Sequence, residues 1–137
     1  MAMFASDGWS FTVPFDHGLL AIEDAETQSG HDDWDPTSQP THLDGDSLYV
    51  NVCNSVDGPV TVTVVGQEHA DVAGKNDMPI LFSGKLLLPN RVLSVAESDN
   101  RAKLTLRTET AEAITVYGND PDDPDQVMIV LPNCTLS

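Results

Sequence analysis

Between Ser47 and Gln67 the chain reads SLYVNVCNSVDGPVTVTVVGQ, two stretches in which apolar and polar residues alternate. Leu48, Val50 and Val52 fall on one side and Tyr49, Asn51 and Cys53 on the other. Past Ser55-Val56-Asp57-Gly58, Val60, Val62 and Val64 alternate with Thr61, Thr63 and Val65. A period of two is that of a pleated strand with one buried face. The Asp57-Gly58 step offers the positive φ that a tight reversal needs, so the stretch is expected to be a β-hairpin.

The same signature recurs along the chain. Trp9 to Val13 and Leu19 to Glu23 read as strands on either side of Pro14 to Gly18, a second expected hairpin. Pro79 to Phe82 and Lys85 to Leu88 read as two short strands turned at Ser83-Gly84, followed by the turn pair Pro89-Asn90. Arg91 to Glu97, Arg101 to Arg107 and Glu112 to Tyr117 follow, and Thr108 to Ala111 suits either a helical turn or a bend. Val127 to Leu131, VMIVL, is apolar throughout and fits a central strand covered on both faces. That makes about ten short strands, with no amphipathic helix of useful length. The expected architecture is all-β, a two-sheet sandwich or jelly-roll-like pair. A parallel arrangement would call for crossover helices that the pattern lacks. Pro14, Pro89 and the many aspartates suit the protection of sheet edges.

At 137 residues the chain has the size of one domain, 1–137, with enough material for a core that needs neither metal nor disulfide. No run approaches a membrane span, and the first residues lack a basic, then apolar, leader; the cytoplasm is the expected setting. Cys53 lies in a strand pattern and Cys134 near the end, without metal-ligand spacing, so two thiols are expected rather than a bridge.

Charge restricts the partners. Six basic residues stand against 22 acidic ones, a formal net charge of −16. Phosphate backbones and anionic membrane surfaces require Lys and Arg, so neither nucleic acid nor membrane is an expected partner. A cationic protein or a metal ion would be drawn in by such a field. An acidic surface also serves solubility, and abundant Asp with little Lys suits a salty medium.

The acids gather in connections. The long segment 24–46 is polar, holds one large apolar residue, Trp34, and is expected to be a loop, apart from room for a short helical turn near Asp24 to Gln28. A second acidic loop is 118–125. Asp-x-Asp steps at Asp33/Asp35, Asp44/Asp46 and Asp123/Asp125 offer hard oxygen ligands, although none has the spacing of an EF-hand. His17, His31 and His42 would make a transition-metal site only if the long loop folded back on the first hairpin. No nucleophile elbow, zinc-protease helix or phosphate loop is present, and a carboxylate pair among so many Asp residues carries no information. An enzyme is not expected, and no cofactor is called for. Trp34, flanked by Asp32, Asp33 and Asp35, is instead the arrangement of an aromatic anchor within an acidic frame, the complement of a basic partner.

Phe11-Thr12-Val13, Asp33-Trp34, the central 47–67 stretch, Val116-Tyr117 and Val127 to Val130 occur in an order that resembles the competence-associated inhibitors of the bacterial DNA-entry nuclease. The resemblance implies an acidic protein that binds a nuclease and sets carboxylates on ground meant for DNA phosphate. The loops 24–46 and 118–125 are richer in Asp and Pro than the resemblance leads one to expect. The expected contact residues are Asp32, Asp33, Trp34, Asp35, Asp122 and Asp123, meeting a cationic partner. The alternative is a β-domain that binds a metal or small ligand through its Asp-rich loops.

Overall fold

The computed structural model describes residues 9–27, 40–66, 78–97, 102–121, 123–131 and 135–136. They form two packed sheets. The five-stranded sheet runs β1 (Trp9–Pro14), β5 (Pro59–Gly66), β10 (Gln126–Leu131), β9 (Ala111–Gly118), β6 (Ile80–Leu87). The six-stranded sheet runs β11 (Thr135–Leu136), β8 (Lys103–Arg107), β7 (Val92–Glu97), β2 (Leu19–Asp24), β4 (Ser47–Asn51), β3 (Thr41–Asp44). The all-β sandwich is as expected. Among the described residues the one helical element is a single 3-10 turn, Ser55–Asp57.

The core lies between the sheets. Val60, Val62 and Val64 of β5 and Val127, Ile129 and Leu131 of β10 face Leu20 and Ile22 of β2, Leu48 and Val50 of β4, and Leu93 and Val95 of β7, all in one buried cluster. Each such side chain contributes roughly 1.5–3 kcal/mol through removal from water. β10 has five consecutive buried residues, Val127 to Leu131, and sits between β5 and β9, so the central strand is where the apolar run placed it.

The two expected hairpins are not hairpins. β4 pairs with β2 and β3, whereas β5 pairs with β1 and β10 in the other sheet. β1 and β2 are likewise divided between the sheets. An alternating pattern states only that one face is buried; two strands bury their faces equally well side by side or opposite each other across a sandwich. Gly58, with φ 122 and ψ 178, does not adopt the conformation of a two-residue hairpin turn. The connection Val52 to Gly58 instead arches over the end of the sandwich.

Four further expectations change. Ser83 and Gly84 do not turn; they lie inside the single strand β6, where the Phe82 ring sits over Gly84, 2.9 Å from the place a Cβ would take. The loop 24–46 carries a strand, β3, which makes a true hairpin with β4 through Gly45 at φ +60. Ala25 and Glu26 form a turn rather than a helix. Finally, β5 and β10 are parallel with no crossover helix among the described residues, and all the strands from β6 to β9 intervene between them in the chain. Pro14 does lie on an edge strand, β1.

One buried carboxylate fixes the end of the sandwich where β2 finishes. Asp24 is fully buried, and accepts hydrogen bonds from the backbone N–H of Asn90 (2.9 Å), from Asn90 Nδ2 (2.8 Å) and from the N–H of Glu26 (2.9 Å). Burial pushes its pKa up, but the three bonds together pull it below the ordinary value. Its stabilising effect is therefore complete above the unfolded-state pKa, about 4, and fades as pH falls through the lower folded-state value. Asp24→Ala is expected to cost about 3 kcal/mol in urea unfolding at pH 7, and the difference from wild type should shrink as the pH is lowered through that range. A pH-independent difference would show that the charge is not what holds the Asn90 turn.

Candidate functional site

Three connections meet at the end of the sandwich opposite Asp24: Phe15 to Gly18 between β1 and β2, Val52 to Gly58 between β4 and β5, and Asn119 to Asp125 between β9 and β10. Backbone bonds stitch them together. Ser55 N–H donates to Phe15 O (3.0 Å), Val52 N–H to Gly18 O (2.9 Å), and Cys53 N–H to Pro124 O (2.8 Å), while Asn54 Nδ2 donates to Asp16 O (3.0 Å). Asn54 also caps the 3-10 turn by accepting from Val56 N–H (3.1 Å). Gly18, at φ +60, is required here, since a Cβ would lie 2.9 Å from Val52 O.

The acidic loop 119–125 is internally ordered. Asn119 Oδ1 accepts from the N–H groups of Asp125 and Gln126, both at 3.1 Å, and its Nδ2 donates to Asp125 Oδ1 at 2.6 Å. Asp120 Oδ1 accepts from Asp123 N–H at 3.0 Å. At the root of the loop, Gly118 admits Pro124 and Leu81, whose atoms stand 3.0 and 2.7 Å from where a Cβ would be. The described residues of the loop are thus braced by their own side chains and backbone.

The surface so built is anionic. Asp16, Asp57, Asp120, Asp122, Asp123 and Asp125 all belong to these three connections, which contain no Lys or Arg. Asp57, Asp120, Asp123 and Asp125 are exposed. Val56, at the tip of the 3-10 turn, is 86% exposed, an apolar knob beside Asp57. Of the residues singled out from the sequence, Asp123 lies in this surface. Asp32, Asp33, Trp34, Asp35 and Asp122 lie outside the described residues. Sequence reasoning passed over Val56 and Asp57, because a hairpin turn would have spent them on local geometry; as the crest of an arch they face outward.

The metal chemistry open to this end is limited. Cys53 Sγ and carboxylate oxygens of Asp57 and Asp123 lie within 4.8 Å of one another. A hard cation would find two carboxylates and a thiol there, far from six to eight oxygens. Among the described residues His17 and His42 join no such group, and His31 lies outside them. Asp46 and Asp125 of the Asp-x-Asp steps accept internal bonds, Asp46 Oδ1 from Thr27 Oγ1 at 2.6 Å.

No family model and no curated protein matches the chain. One solved structure does: ComJ from Bacillus subtilis, an inhibitor of the DNA-degrading activity of NucA, superposes with a TM-score of 0.68 over 92% of this chain and 96% of its own, at 8% sequence identity. The likeness to the competence-associated inhibitors, read from the order of a few residues, therefore holds at the level of the fold. Among the described residues no helix is long and apolar enough to cross a membrane.

Cys53 is a buried free thiol whose Sγ donates to Asn54 O at 3.5 Å. Burial pushes its pKa up, and the carboxylates of Asp123, Asp57 and Asp125 add to the rise by opposing a thiolate. It is therefore a poor nucleophile. In a Cys134→Ser background, Cys53 is expected to react with iodoacetamide at pH 8 at least ~10-fold more slowly in the native protein than in urea. Equal rates would place the thiol in a different setting.

Proposed function

We propose that this protein is a non-enzymatic binding module of the inhibitor type, which engages the cationic, DNA-binding surface of a nuclease. The observation that carries the reading is the fold, shared over nearly the whole chain with a protein described as a nuclease inhibitor. The charge supplies a mechanism. A nuclease cleft lined with Lys and Arg is built for phosphate oxygens, and carboxylates held on ordered loops present similar acceptors at a protein surface. The net charge of −16 steers the encounter, and the loop end supplies the short-range match.

In this reading the contacts are Asp122 and Asp123 on the β9–β10 loop, joined by Val56 and Asp57, together with Asp32, Asp33, Trp34 and Asp35. Aromatic and apolar anchors within a polar rim are where binding energy concentrates. The setting is the cytoplasm, where Cys53 stays reduced. Bound nucleic acid, membrane and cofactor have no part in it.

The test is capture from the native host across a salt series, followed by a DNA-degradation assay on what is captured. A nuclease held at low salt, released at high salt and inhibited by the added protein is the expected result. Reversing Asp57 and Asp123 to Lys, and separately Asp33 and Asp35, should slow association at least ~10-fold at low salt and flatten its salt dependence. Unchanged association in both double variants would refute the acidic contact. A metal-binding module would behave differently, with its melting temperature rising strongly in excess Ca²⁺ and falling back with EDTA; flat melting is expected here.

A further inference from the structure

The outer face of the five-stranded sheet is unlike an ordinary solvated face. On a sheet with one face turned to water, residues that alternate out of the core are expected to be polar. Thr61 and Thr63 of β5 follow the rule. Val65, Met128 and Val130 do not; they form a second buried apolar cluster, with Met78 and Tyr117 packed against it, separate from the sandwich core. Beside this cluster is a cavity of about 170 Å³, lined among the described residues by Thr61, Thr63, Met78, Gln126, Val127 and Met128.

We propose that this cavity receives the side chain of a lysine or arginine presented by the protein partner, an inference that rests on the nuclease-inhibitor reading and names a specific contact within it. Size is the first argument. Sites for cofactors and drug-sized ligands run from roughly 300 to 1,000 Å³, so this cavity suits a single long side chain. Wall chemistry is the second. Two methionines and two threonines offer methyl groups to an aliphatic stem, and methionine adapts its shape to what it meets. The polar groups, the threonine hydroxyls and the Gln126 amide, have oxygens able to accept hydrogen bonds, Thr61 Oγ1 while already paired with Thr12 Oγ1 at 2.8 Å, and none of the described lining side chains is charged. Charge is the third. Gln126 follows Asp125 directly, and Thr61 N–H donates to Asp125 O at 2.9 Å, so the wall of the cavity is continuous with the acidic loop. That loop holds Asp120, Asp122, Asp123 and Asp125 and no base. A stem on the methionines with its cationic head directed toward the Asp125 end satisfies both halves of an amphipathic side chain. An apolar side chain would leave the acidic end unused, and an acidic one would be repelled.

The test uses the full chain with ¹³C-methyl methionine. Titration with N-acetyl-lysine amide or N-acetyl-arginine amide should shift the Met78 and Met128 methyl resonances saturably, while N-acetyl-norleucine amide, of similar length and without charge, should leave them in place. Thr63→Trp, which fills the cavity without altering charge, should abolish these shifts and weaken binding to the captured nuclease at least tenfold; Thr63→Ser should do neither. No methyl shift with either cationic amide, or equal shifts with norleucine amide, overturns the proposal. So does a folded Thr63→Trp protein that binds the nuclease as well as wild type, a result that leaves the inhibitor reading intact. Methyl shifts in a protein that binds no nuclease overturn the inhibitor reading instead and leave the cavity's preference for a cationic side chain standing.

Discussion

Val60, Val62 and Val64 of β5 face the inward side chains of the opposite sheet, and that contact governs how the chain is routed. Because β5 packs across the sandwich from β4 rather than beside it, the residues between them have to climb from one sheet to the other. β1 and β2 are divided in the same way. Two such arches, set next to the loop of the β9–β10 hairpin, create an end surface made of connections rather than strands. In a meander of hairpins the same residues would be scattered along separate turns. The position of the acidic end follows from a choice made in the apolar core.

The two ends use acidic residues differently. At the Asp24 end a carboxylate is buried and saturated with N–H donors, so its charge is spent on holding the turn at Asn90 against β2. At the other end the hydrogen bonds that hold the loops are carried largely by backbone groups and by Asn54 and Asn119. Amide side chains and main chain do the fastening there, which leaves the carboxylates of Asp57 and Asp123 exposed. Asp120 and Asp125 each accept one bond within their loop, but the loops are fastened without using the carboxylates of Asp57 and Asp123. Under the proposed function that division suits a binding surface, where the side chains that meet a partner are preset by others that do not.

Much of this was legible in the residues. Period-two alternation fixed the strands from Leu19, Ser47, Pro59 and Val92 onward, and the apolar run at Val127 identified the strand between β5 and β9. Partnership was not legible, because alternation defines a face and is silent about the neighbour. Asp57-Gly58 looked like a tight turn on composition, yet the Asn54 cap and the extended Gly58 show that the same residues serve an arch. Ser83-Gly84 misled for a related reason: glycine marks close approach as well as reversal, and here the Phe82 ring is what approaches. β3 escaped notice since four residues reading THLD carry almost no alternation. For the site, the acidic character and Asp123 could be read directly, whereas Val56 became visible only once the route of the chain was known.

Electrostatics decides how such an end surface discriminates. Oxygens of Asp57 and Asp123 lie within 4.8 Å of each other, a repulsion on the order of 1 kcal/mol in water-like surroundings. The loop bonds fix the backbone that carries both residues, so the free protein already brings the two carboxylates together. A Lys or Arg brought between them relieves it and adds its own attraction, and both effects strengthen as water leaves the interface. An anionic or neutral surface pressed onto the same loops would deepen the repulsion. Under the proposed function such a surface would reject as well as attract, through carboxylates that already stand close together before any partner arrives.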